Sequence, residues 1–92
     1  MKLQSMNPHD QSVVGELDIS TSKQIHDTVL KAKKAYGLWS KTDIQKRIEY
    51  IKKFRVLLKK NSEKIAKLTT LEMGKPLSES RDDVKWELDF ID

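Results

Sequence analysis

The chain has 92 residues, enough for one small domain or part of a larger one. It contains no cysteine, which excludes a disulfide framework, a thiolate metal site and a cysteine nucleophile within these residues. The formal net charge of +4 is unevenly spread: residues 1–30 carry −2, residues 31–67 carry +10 and residues 68–92 carry −4. A basic middle between acidic ends suits nucleic-acid binding, and it equally suits segments that neutralise one another or a neighbour. No apolar run approaches the ~20 residues of a membrane span, and the opening MKLQSMNPHD lacks the apolar stretch of a secretory leader. The expected setting is therefore the cytosol, with no membrane partner.

Residues 3–19 read as a β-hairpin. Leu3 to Met6 forms a short strand, Asn7 to Gln11 carries turn chemistry with Pro8 presetting φ, and Ser12 to Ile19 returns. Alternation places Val13, Gly15, Leu17 and Ile19 on one face and Val14, Glu16 and Asp18 on the other. Two strands alone are marginal in water, so the hairpin must lie on something.

From Ser20 the period becomes helical. Thr21 and Gln24 form a capping-box pair, and Ile25, Val29, Ala32, Tyr36 and Trp39 make one stripe of a helix over 21–39. Thr42 and Gln45 repeat the pattern and open a helix over 42–60, with Ile44, Ile48, Ile51 and Leu58 as its main stripe. Tyr50, Phe54 and Leu57 widen that stripe, which predicts more than one neighbour. Asn61 or Ser62 caps a third helix over 62–73, carrying Ile65, Ala66, Leu68 and Leu71. Gly74 suits a left-handed helix end and Pro76 the first turn of a fourth helix over 76–92. That helix holds Leu77, Val84, Leu88 and Ile91 on one stripe and the pair Trp86 and Phe90 on another. Its last turn bears acids and no basic residue, the wrong sign for the negative end of a helix dipole. This uncapped end beside an aromatic pair leads us to expect a piece of a longer protein.

No catalytic constellation is present. Gly15, Gly37 and Gly74 are isolated, so neither a P-loop nor a dinucleotide fingerprint can be built. The serines have no activating partner at a telling spacing, and His9 and His26 read as solvated side chains. The acids Glu79, Asp82, Asp83, Glu87 and Asp89 lack the loop pattern of a calcium site and read as a solvated helix face. Lys46, Arg47, Lys52, Lys53, Arg55, Lys59 and Lys60 could track phosphates, but no base-reading side chains accompany them. A solvated basic face is the simpler reading, and a free-standing basic helical module binding nucleic acid or a protein is the alternative function.

The order of these segments resembles the start of an aldehyde dehydrogenase. The resemblance is carried by Met6-Asn7-Pro8, by Val13-Val14-Gly15-Glu16, and by the helix ending Ala35-Tyr36-Gly37-Leu38-Trp39. It continues with Arg47 and its apolar helix, and with Leu71-Glu72-Met73-Gly74-Lys75-Pro76-Leu77-Ser78-Glu79-Ser80. It spans the whole chain, and among subfamilies the 71–76 stretch looks most like succinate-semialdehyde dehydrogenases. One departure is Gln11, where many relatives have glycine near the end of the hairpin turn.

The resemblance implies an α/β parent with a Rossmann-like fold. These residues would form the N-terminal part of its NAD(P)-binding domain, as a β-hairpin followed by about four α-helices. It implies an enzyme that oxidises an aldehyde, here succinate semialdehyde, to an acid through a thioester, passing hydride to NAD or NADP. Homo-oligomers are implied for the parent, as dimers or tetramers, and nucleic acid is not an implied partner. The family's cysteine, glutamate and asparagine of catalysis have no matching positions here, so no catalytic or cofactor-binding residue is assigned and the chain alone is expected to be inactive. Some members hold a monovalent cation through backbone oxygens before Asn-Pro and a helix carboxylate; the matching positions are Ser5 or Met6, and Asp83. Without a Rossmann sheet to cover its apolar faces, the isolated chain is expected to be only partly ordered.

Overall fold

The computed structural model describes every residue from Met1 to Asp92. A two-stranded antiparallel sheet, β1 (Lys2–Met6) and β2 (Val13–Asp18), precedes four helices: α1 (Ser22–Trp39), α2 (Ile44–Lys60), α3 (Ser62–Met73) and α4 (Leu77–Phe90). The expected hairpin and four helices are all present.

The hairpin register sets Leu3 opposite Leu17 and Ser5 opposite Gly15, then slips so that Met6 faces Val13. The slip falls beside the residue of β2 that turns inward. Val14 is the half-buried residue of β2, whereas Val13, Gly15 and Leu17 are exposed. An extra residue in one strand re-aims the side chains around it, so strict alternation fails there. The turn is closed by its own polar groups. Asn7 Oδ1 accepts from the His9 N–H at 2.9 Å, and Asp10 Oδ1 accepts from the Ser12 N–H at 2.9 Å and from Ser12 Oγ at 2.6 Å. To complete it, Gln11 takes φ +61°, the only left-handed non-glycine residue in the chain.

Helix ends follow their chemistry with three changes. Thr21 and Gln24 make the full reciprocal capping box of α1. At α2 the cap is Asp43, not Thr42: the Asp43 carboxylate accepts from the Gln45 N–H at 2.9 Å, while Thr42 Oγ1 donates back to the Leu38 carbonyl. A carboxylate at the positive end of a helix is held by charge as well as by hydrogen bonding, so it outcompetes the neighbouring hydroxyl. Asn61 joins α2 to α3 but caps neither helix start with its side chain, because its Nδ2 donates to the Leu57 carbonyl at the end of α2. Gly74 ends α3 at φ +74°, with its N–H donating to the Thr70 carbonyl. Pro76 stands at the N-cap of α4, one position before the expected first turn, and its carbonyl accepts from the Ser80 N–H.

The core is small and lies between α3 and α4. Only Ala66, Ser80 and Val84 are buried. Two small residues, Ala66 and Ser80, let the helices approach closely, and Ser80 Oγ shares a 2.8 Å hydrogen bond with Thr70 Oγ1. Arg81 reaches across to Glu63 with two bonds, Nε to Oε2 at 3.0 Å and Nη2 to Oε1 at 2.7 Å. The hairpin turn meets this unit at the joint: a Cβ on Gly74 would lie 2.9 Å from Pro8 Cγ.

The rest of the molecule is open. α1 buries no residue, and its aromatic end meets α2 through Trp39 and Tyr50, with ring centroids 5.7 Å apart. The molecule measures 48 × 37 × 15 Å, the thickness of one layer of helices. Its radius of gyration is 17.3 Å, against about 12 Å for a compact domain of this length. Its accessible surface is 8097 Å², against about 5,500 Å² for a compact protein of this mass. A stable domain packs two layers around one core, and the second layer is missing here.

Candidate functional site

The apolar stripe of α2 forms the floor of one cleft. Ile44, Ile48 and Ile51 line it with Trp39 from the end of α1 and Ile91 beyond α4, enclosing about 440 Å³. Two arginines of α2 turn towards this region rather than to solvent. Arg55 Nε donates to the Leu88 carbonyl at 3.1 Å, and its Nη2 pairs with Asp92 at 2.9 Å. Arg47 lines the cleft, and its Nε is buried without a hydrogen-bond partner.

This changes the reading of the basic face. Arg55 is not part of a phosphate-tracking surface: it supplies the positive charge that the end of α4 lacks in its own sequence. The signal was available, since Arg55 stands four residues after Ile51 and three before Leu58, in the middle of the apolar stripe. The lysines remain outward, and Lys53 lies over the Tyr50 ring at 5.6 Å. A second groove, of about 510 Å³, runs between the hairpin and α3, lined by Leu3, Val14, Leu17, Leu68 and Glu72 among others.

Asp83, the candidate cation ligand, carries Lys75 at 2.5 Å across the α3–α4 joint. That contact raises the Lys75 pKa above its ordinary value, chiefly through the hydrogen bond to Asp83. Met6 is the exposed last residue of β1 and Ser5 is half-buried beside it. No group of three or more histidine, cysteine or acidic side chains comes together where it could hold a metal. The acids Glu79, Asp82, Asp83, Glu87 and Asp89 all lie on α4. The bidentate Arg81 holds Glu63 below the usual carboxylate range, and the Ser12 hydroxyl and N–H do the same for Asp10. His9 and His26 are exposed. No helix is long and apolar enough to cross a membrane.

The geometry is that of a scaffold with uncovered apolar faces, and sequence comparison identifies the scaffold. The profile of the aldehyde dehydrogenase family matches residues 1–92. A mitochondrial methylmalonate-semialdehyde dehydrogenase [acylating] of Arabidopsis thaliana is 34% identical over 87 residues, covering 95% of this chain and 14% of the relative. Malonate-semialdehyde dehydrogenase 2 of Bacillus thuringiensis (strain Al Hakam) is 37% identical over 78 residues, covering 85% of the chain and 16% of the relative. The mitochondrial methylmalonate-semialdehyde/malonate-semialdehyde dehydrogenase [acylating] of Rattus norvegicus is 36% identical over 78 residues, covering 85% and 15%. The chain therefore spans roughly a sixth of the length of the curated relatives it matches. These relatives act on malonate and methylmalonate semialdehydes by name, and they lend no support to succinate semialdehyde. With its hairpin, its Gly74–Pro76 joint and its apolar helices all inside the matched span, the chain belongs to the aldehyde dehydrogenase family.

Proposed function

We propose that these residues form the N-terminal framework of the NAD(P)-binding domain in an NAD(P)-dependent aldehyde dehydrogenase. The observation that carries the reading is the family match over residues 1–92. The names of the relatives favour a short semialdehyde, with malonate and methylmalonate semialdehyde ahead of succinate semialdehyde, which has one more methylene than malonate semialdehyde. All three join an aldehyde to a carboxylate. In this reading the parent works in the cytosol as a homo-oligomer and uses NAD or NADP. The 92 residues supply no nucleophile: they hold the hairpin and helices against which the cofactor domain packs. The inward-turned arginines 47 and 55 leave the nucleic-acid alternative with a smaller basic surface than the sequence suggested.

The test is to supply the 92-residue chain and its full-length parent with each semialdehyde and with NAD+ or NADP+, and to follow nicotinamide reduction. We expect no turnover by the chain, and turnover by the parent that is faster with the malonate-type substrates. A parent inert towards all three would overturn the reading. A monovalent cation held by a carbonyl of Ser5 or Met6 and by Asp83 belongs to the same proposal. It would have to displace the Lys75 ammonium from Asp83. Potassium-dependent stability in an Asp83→Ala parent would remove it.

A further inference from the structure

The joint between α3 and α4 carries a cation of its own. Lys75 precedes Pro76, the N-cap of α4, and its ammonium reaches Asp83 at 2.5 Å. The lysine side chain is 27% exposed and the aspartate 56%, so the cationic partner is the better covered. Glu79 stands one turn before Asp83 and adds its charge beside the same ammonium.

The hairpin is brought to this place as well. Pro8 stands against Gly74, the residue before Lys75, so the end of β1 with its Ser5 and Met6 carbonyls is carried to the joint. Asp83 is therefore claimed twice: a tethered ammonium holds it, and the proposed monovalent cation would need it. Each claimant brings one positive charge, so exchanging them leaves the charge balance with Asp83 and Glu79 unchanged. They differ in how they arrive. A group on a short stem competes at a high effective concentration, whereas a free ion must be supplied from solution.

We propose that Lys75 is a built-in competitor for the monovalent cation. Its ammonium holds Asp83 while the cation is absent and is released to solvent when the cation takes its place. The lysine thus sets the concentration at which the site fills, and its own freedom reports the filling. This exchange rests on the cation site within the dehydrogenase reading and deepens it by giving that site a threshold.

The test uses the full-length parent and follows acylation of Lys75 by an amine-reactive ester, read by peptide mass spectrometry. Potassium chloride replaces tetramethylammonium chloride at constant ionic strength, so general screening of an exposed pair does not change. We expect labelling of Lys75 to rise with potassium to a plateau, while the exposed Lys31, Lys33 and Lys34 keep a constant rate. Thermal midpoints over the same series give the half-saturating potassium concentration. Lys75→Met should lower that concentration about three- to tenfold, the effect of removing a competitor as strong as an ordinary surface ion pair. Asp83→Asn should leave Lys75 fully labelled without potassium and abolish the potassium response. Labelling of Lys75 that ignores potassium, or equal half-saturation in the wild type and Lys75→Met, would overturn the proposal. Turnover is read separately: a parent that oxidises no semialdehyde yet exchanges Lys75 for potassium fails the enzyme reading alone.

Discussion

Two backbone positions concentrate the local cost of this fold. Gln11 holds φ +61° in the hairpin turn, a conformation that costs an L-residue roughly 1–2 kcal/mol and glycine almost nothing. Gln11→Gly should raise stability by about 0.5–1 kcal/mol in chemical denaturation, after allowance for the extra freedom glycine brings to the unfolded chain. Gly74 is the opposite case. Its φ is +74° and a Cβ would press on Pro8 at 2.9 Å, so Gly74→Ala should cost about 1–3 kcal/mol and loosen the hairpin turn. Glu63 sets a pH dependence. Its carboxyl titrates lower in the folded chain than its ordinary value because Arg81 donates to it. The unfolded chain therefore binds this proton first, so the contribution is complete above the usual carboxylate range and is lost as pH falls through the lowered value. The thermal midpoint should drop on acidification below pH ~5, and Glu63→Gln should flatten that drop.

At the level of elements, α4 depends on α2 for its ending. Arg55 bonds the Leu88 carbonyl and pairs with Asp92, placing a cation at a helix end whose own last turn has none. Arg55→Ala should cost about 1 kcal/mol and increase amide exchange in the last turn of α4, with little change in α3. Lysine at this position should recover only part of the loss, because an ammonium lacks the two-pronged donor geometry. The elements themselves were legible in the sequence. The periods of Ile25–Trp39 and Ile44–Leu58, the Thr21–Gln24 box and the Gly74 stop all stand where the pattern puts them. What escaped was competition between adjacent groups. Asp43 displaced Thr42 as a cap, and a register slip between Ser5 and Met6 breaks the strict alternation of β2. Arg55 and Arg47 were read as solvated because charge was counted without noting where in the stripe it fell. The pairing of Lys75 with Asp83 depends on how the joint folds, and spacing alone does not reveal it.

For the molecule as a whole, burial is distributed so unequally that stability must be too. α3 and α4 share the buried residues, the Thr70–Ser80 bond and the Glu63–Arg81 fork, whereas α1 buries nothing. Hydrogen exchange should show protection confined to α3, α4 and the facing turns of α2. Uniform protection across α1 in a monomer would contradict this. Any reaction was legible only as resemblance, because the residue pattern itself assigned no catalytic residue. The succinate expectation rested on Leu71–Pro76, a stretch that ends α3 and leads into α4, and the names of the relatives do not support it.

The contact between Pro8 and Gly74 also orders events in time. α3 and α4 are neighbours in sequence, so their pairing closes a short loop and can form early. The hairpin turn must find a partner 66 positions away, and the entropy of closing that longer loop delays it. Assembly should thus start at the helical pair and finish with the hairpin. A residue at the Pro8–Gly74 contact will then govern how fast the chain opens, with little influence on how fast it folds.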